Sequence, residues 1–143
     1  MSGLFTPEIR DDPAAVERNR EWIEALRSGN YPQATGTLCH IDPSTGEVIG
    51  YCCLGLPCLL QKLPVVDTWV TVRRIFAGPD SEIMWNALSS PGLRKLYRLT
   101  TSAGHYTDPA GNPSSLAYDN DANHLNFPQI ANIIERQLTE ALA

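Results

Sequence analysis

Phe127, Ile130, Ala131, Ile134, Leu138, Ala141 and Leu142 recur at i, i+3, i+4 spacing over four helical turns. No other feature constrains the fold as much, because one face of that helix must be covered by another element. The helix begins near Asn126. Pro128 is tolerated in its first turn, where backbone N–H groups lack an intrahelical acceptor. A second strong helix is available to cover it. Asp12 is a good N-cap, Pro13 suits the first helical position, and Val16, Trp22, Ile23 and Leu26 keep helical spacing up to a stop at Gly29. The segment from Met1 to Asp11 is expected to form a short turn or a loose N-terminal arm.

Between the two helices the pattern changes. Gly36 to Ile41 and Glu47 to Cys52 are short runs of strand formers flanking a turn with Asp42, Pro43 and Gly46, which reads as a β-hairpin. Cys52 to Leu63 is apolar and reads as a buried helix with Pro57 early in it. Pro64 to Asp80 fits a strand or a packed loop. Ser81 to Leu88 and Ser90-Pro91 to Leu99 read as two short helices. His105 to Pro113 suggests a loop or a second small hairpin, Ser114 to Ala117 a helical turn, and Asp119 to Asn123 a polar loop. The chain is therefore expected to be one compact, mostly helical α+β domain over residues 1–143, with four to five helices and one or two small β-hairpins. The first helix, the helix after Tyr51 and the last helix should pack together through Trp22, Leu26, Leu54, Leu59, Phe127, Ile130, Ile134 and Leu138.

Charge narrows the partners. Eleven Lys and Arg against sixteen Asp and Glu give a net charge of −5, the wrong sign for a nonspecific nucleic-acid binder. The distribution is uneven: Lys62, Arg73, Arg74, Arg94, Lys95 and Arg98 form a cationic middle, while the chain beyond Thr100 is acidic. A cationic patch on an acidic protein can receive a small anion. No run approaches the ~18 apolar residues of a membrane span, and no signal peptide is seen. A cytoplasmic protein with reduced cysteines is expected.

The string Trp22-x-x-Ala25-Leu26-Arg27-Ser28-Gly29-x-Tyr31-x-Gln33-x-x-Gly36-x-Leu38 resembles the opening of a group of small, uncharacterised phage and bacterial proteins. Tyr51-Cys52-Cys53-Leu54-Gly55, Ser115-Leu116, Asn120-Asp121 and Phe127-x-x-Ile130-Ala131-x-x-Ile134-Glu135 continue the likeness. The likeness covers both ends of the chain and thins out between Pro64 and Leu88. It implies a phage accessory factor acting on a host component. Pro57 departs from the uninterrupted helix usual after the Tyr-Cys-Cys-Leu-Gly segment.

Candidate chemistry is sparse. Cys39, Cys52, Cys53 and Cys58 lack paired zinc spacing and read as small hydrophobes, so neither a metal nor a cofactor is expected. Asp119, Asn120, Asp121 and His124 form the densest polar cluster. The first reading is a loop in which Asn120 or Asp121 bonds backbone and fixes the approach to the last helix. The second is direct contact with a ligand. Arg94 and Arg98 are expected on one helical face, either solvated or, with Arg73 and Arg74, lining a pocket for a phosphate-bearing molecule. Tyr106 beside His105 is a candidate to stack on or hydrogen-bond a ligand. The ligand-binding set is thus Arg94, Arg98, Tyr106, Asn120 and Asp121. Three functions are compatible. The first is non-catalytic sequestration of a small anionic, nucleotide-like host molecule, usually by a homo-oligomer. The second is stoichiometric inhibition of a host protein, which needs an exposed apolar patch. The third is a small hydrolase using Asp119, Asp121 and His124.

Overall fold

The structure is a computed structural model that describes residues 3–35, 39–42, 44–45, 47–62, 65–67, 73–76, 91–101 and 103–143. Its elements run in the order 3-10 helix Pro7–Asp11, α1 Pro13–Arg27, β1 Cys39–Ile41, β2 Val48–Tyr51, α2 Gly55–Leu60, β3 Val65–Asp67, β4 Arg73–Phe76, α3 Pro91–Leu96, β5 His105–Thr107, β6 Pro113–Ser115, α4 Leu116–Asp121 and α5 Phe127–Leu142. The fold is α+β.

The two long helices begin as their sequences dictate. Asp12 Oδ1 accepts from Ala15 N at 3.1 Å, and Pro13 occupies the first turn of α1. Asn126 and Gln129 form a reciprocal capping box: each side chain accepts from the other's backbone N–H at 2.9 Å. α1 and α5 pack together, and α2 packs against α1. Trp22, Leu26, Leu54, Phe127, Ile130, Ile134 and Leu138 are buried, while Leu59 is only partly so. The Trp22 indole donates to Cys53 O at 2.9 Å, which fixes the loop before α2 to α1. α2 is shorter than the Cys52–Leu63 expectation. Pro57 has no N–H to donate and so must lie in the first turn, and the left-handed backbone at Lys62 (φ 58°) ends the run.

Of the two expectations for the N-terminal segment, the structure shows the turn. Leu4, Phe5 and Ile9 are buried against the core. Leu4 N donates to the buried Gln137 amide oxygen at 3.1 Å. Residues 4–6 also run alongside 98–100, with Thr6 N donating to Arg98 O at 2.8 Å and Thr100 N to Leu4 O at 3.0 Å.

The strands form a four-stranded antiparallel sheet in the order β2-β1-β4-β3 and a separate β5-β6 hairpin. The outer edge of β2 is partly covered by residues 32–34, through Tyr51 N to Pro32 O at 2.8 Å and Ala34 N to Tyr51 O at 2.7 Å. That approach requires Gly50, since a Cβ there would lie 2.8 Å from Ala34 Cβ. The helix expected over Ser81–Leu88 lies outside the described residues, as does most of Pro64–Asp80. Ser114 and Ser115 are in strand β6, not a helical turn, and the expected polar loop after them is largely α4. The Ser115 hydroxyl caps α4 by accepting from Tyr118 N at 3.1 Å. No helix among the described residues is long and apolar enough to cross a membrane.

Candidate functional site

Two polar regions hold the residues singled out from sequence. The first is centred on α4 and faces inward. Asp119 is 2% exposed, and its carboxylate accepts from three donors: the Tyr106 hydroxyl, Ser114 Oγ at 2.9 Å and Asn123 Nδ2 at 2.8 Å. Three donors are what a buried carboxylate needs in place of water. Burial first, and the bond to Asp119 second, push the Tyr106 phenol far above its ordinary value, so it stays protonated and donates. Tyr106 is itself buried and presents no free ring face.

Asn120, 1% exposed, uses its whole hydrogen-bonding capacity within the chain. Its Oδ1 accepts from Gln33 Nε2 at 2.9 Å and Cys53 N at 3.2 Å. Its Nδ2 donates to Ala34 O at 2.9 Å and Asp121 Oδ1 at 2.8 Å. One side chain thus ties α4 to the strand-like segment after α1 and to the turn leading into α2. His124, with a left-handed backbone (φ 54°), is exposed on a separate shallow depression with Gln33 and Asn120. Neither Asp119 nor Asp121 lines that depression.

The second region faces outward. Thr6, Glu8, Arg94, Lys95, Arg98, Leu99 and Thr100 line an open groove of about 360 Å³. Its geometry follows from how α3 ends. Arg98 N donates to Lys95 O at 3.1 Å and Leu99 N to Arg94 O at 3.2 Å, the paired bonds of a Schellman termination. The residue such a turn places in the left-handed region is usually glycine, and here it is Arg98 (φ 55°). The helix therefore stops at Leu96, and Arg98 does not share a helical face with Arg94. The turn brings both onto the same groove instead.

This turn is held rigidly from α1. Arg18 Nη1 donates to Leu96 O at 3.0 Å and Asn19 Nδ2 to Tyr97 O at 3.0 Å. Arg98 Nε donates to Asp12 Oδ2 at 2.9 Å, which commits one of its five N–H donors and leaves the two terminal nitrogens out of that bond. The Asp12 carboxyl sits below its ordinary pKa, through the Ala15 N–H first and the Arg98 bond second. Glu8 is likewise lowered, by its own backbone N–H first, then Thr6, with the Arg98 charge adding. At neutral pH the groove therefore presents three cations and one carboxylate.

Of the residues expected at a ligand, Arg94 and Arg98 line the groove, while Tyr106, Asn120 and Asp121 do not. Tyr97, next to Arg98 in sequence, is fully buried and packs edge-on against Trp22 with ring centroids 5.7 Å apart. The Arg73 and Arg74 side chains lie outside the described residues. Sequence reasoning missed Thr6, Glu8 and Thr100. They reach the groove through pairing of residues 4–6 with 98–100, which leaves no local signature.

All four cysteines are buried, and none of them forms a disulfide. Burial pushes Cys52 up to about 12 and Cys53 and Cys58 well above their ordinary values, which makes them inert as nucleophiles at neutral pH.

A family model described as a domain of unknown function, DUF8296, matches residues 16–138. The chain belongs to that family. No curated protein and no solved structure matches it. The DUF8296 span holds the whole α4 network and the cationic wall of the groove. Thr6, Glu8 and Asp12 lie ahead of it.

Proposed function

We propose that this protein is a non-catalytic binder that captures a small anionic, nucleotide-like molecule in the groove of Arg94, Lys95 and Arg98. One observation carries the reading. Arg98 occupies a left-handed turn position where glycine costs least, and a non-glycine residue there costs roughly 1 kcal/mol. The strained backbone directs a guanidinium, already braced by Asp12, into a groove with two further cations. Arginine forks suit phosphate and carboxylate groups, and a fixed fork loses little entropy on binding.

The competing readings have less behind them. A hydrolase built on Asp119, Asp121 and His124 would need these groups to converge on a substrate. Asp119 is instead enclosed by Tyr106, Ser114 and Asn123, and His124 stands on a depression that neither aspartate lines. An inhibitor of a host protein would need an apolar patch. Among the described residues only Ile49 and Tyr118 are large, apolar and exposed. Sequestration of a host molecule also suits the phage accessory role that the sequence likeness implies, including the countering of a host defence signal. Within this reading Tyr106, Asn120 and Asp121 act as scaffold.

The test is capture. The purified protein is incubated with a bacterial extract, washed, denatured, and the released small molecules are identified by mass spectrometry. A phosphorylated, nucleotide-like molecule is expected from the wild type and not from Arg94→Ala. Consumption of a phosphorylated or amide substrate that depends on Asp121 or His124 would overturn the proposal.

A further inference from the structure

The groove is not uniformly cationic. Glu8 stands on the same groove as Arg94, Lys95 and Arg98. It is exposed, and it belongs to the short 3-10 helix that the Thr6–Arg98 backbone bond fastens beside the cationic turn. A site for a bare anion gains nothing from a carboxylate, because like charges across a small groove repel. The arrangement suits a ligand of two parts: an anionic group for the arginines, and a hydrogen-bond donor for a carboxylate that can only accept.

Resting on the reading of the groove as an anion site, we infer that its ligand class is a phosphate monoester of a polyol, with phosphate on Arg94 and Arg98 and sugar hydroxyls donating to Glu8. The wall chemistry fits both halves. Among the described residues Arg98 is braced through Nε alone, so its terminal nitrogens can bond a phosphate without breaking the Asp12 bond. Leu99, mostly buried where it lines the groove, offers an apolar contact to the carbon face of a sugar ring. The Thr100 hydroxyl donates to Gly3 O at 3.1 Å, so it too meets a ligand hydroxyl as an acceptor. Two acceptors and three cations define a groove that distinguishes a sugar phosphate from a phosphate lacking hydroxyls.

The experiment compares ethyl phosphate with ribose 5-phosphate, two monoesters of equal charge, by calorimetric titration of wild type, Arg94→Ala, Glu8→Gln and Glu8→Ala. Ribose 5-phosphate is expected to bind wild type about tenfold tighter than ethyl phosphate, the scale of a hydrogen bond to a charged group. Both Glu8 variants are expected to abolish that preference, and also to bind ethyl phosphate more tightly than wild type, since a repelling charge is gone. A purely structural role for Glu8 would weaken both ligands together. If ethyl phosphate binds in an Arg94-dependent way but ribose 5-phosphate binds no tighter, the polyol inference is wrong and the anion site stands. If neither ligand binds, or if Arg94→Ala leaves both affinities unchanged, both readings fall.

Discussion

The α4 network and the α3 groove are both rich in polar side chains, yet they spend their hydrogen bonds differently. Asn120 makes four bonds, all within the chain, and is 1% exposed. Asp119 likewise meets three internal donors. Arg94 and Lys95, by contrast, stand half-buried and exposed on an open groove. A polar group whose capacity is filled inside the fold contributes stability and specificity of packing. One aimed at solvent from a rigid backbone is free for a ligand. Polar density in sequence does not separate the two cases, and burial with bond accounting does.

The comparison breaks most visibly if the inner region is disposable. Asp119→Ala would strand the buried Tyr106 hydroxyl, and a buried unsatisfied group costs about 1–3 kcal/mol, while the exposed Asn123 amide turns to water. A loss of about 2–3 kcal/mol in denaturant unfolding is expected, since hydrogen bonds to a charged group are lost and one donor is orphaned in the interior. Asn120→Ala, which orphans the buried Cys53 N–H and removes one of the ties to Gln33 and Ala34, should cost about 2–3 kcal/mol. A change under about 1 kcal/mol in both would show that α4 is not structural.

These roles were unevenly legible in the sequence. α1 and α5 were readable because cap, proline and apolar spacing agree: Asp12-Pro13 and Asn126 mark their starts, and the buried faces are the expected ones. The Asp119–Asn123 stretch reads as a loop in sequence because Asp and Asn compete with helical backbone bonds, and the cap that rescues a helix there, Ser115, itself falls in a segment whose residues suggest a helical turn. That Asn120 bonds backbone was one of the two readings the sequence allowed, and the structure supplies the partners, Ala34 O and Cys53 N, which lie far away along the chain. The groove was half legible. Helical spacing pairs Arg94 with Arg98, yet they meet because α3 ends between them in a left-handed turn at a non-glycine residue, which no local pattern announces. Glu8 was invisible because the apolar residues that dock its segment, Leu4, Phe5 and Ile9, are too few to show a period.

Buried thiols extend the inner side of the comparison to alkaline pH. Cys52, Cys53 and Cys58 have folded pKa values raised by burial, Cys52 to about 12, whereas an unfolded cysteine titrates near 8.5. The stability these groups contribute is fully present below the unfolded value and is lost as pH rises from there towards the folded value, because only the unfolded chain releases protons in that window. Each thiol should then lower stability by up to about 1.4 kcal/mol per pH unit above pH ~9. Unfolding under reducing conditions at pH 8 and pH 10 measures this, and Cys52→Ala should flatten the slope. A midpoint independent of pH over that range would contradict burial of the thiols.

The smallest expected effect on stability is the one that separates the regions most cleanly. Arg94 is half-buried on the groove wall, and among the described residues its side chain makes no hydrogen bond or ion pair. Lys95 is exposed beside it. Arg94→Ala and Lys95→Ala should each shift stability by less than about 0.5 kcal/mol, as surface changes without a structural partner do. Arg98→Ala should differ. It removes the Asp12 ion pair, about 0–1 kcal/mol at partial exposure, and it leaves a side chain with no reason to favour the left-handed turn. Arg98→Gly is the sharper probe. It also deletes the ion pair but relieves the positive φ, so it should be at least as stable as Arg98→Ala while losing the anion site to the same extent. If Arg98→Gly matches the wild type in stability and fails to capture the ligand, the arginine is there for what it binds. If Arg94→Ala instead destabilises the fold by more than about 1 kcal/mol, its charge is spent inside the chain, and the contrast between an inward-facing α4 and an outward-facing α3 turn does not hold.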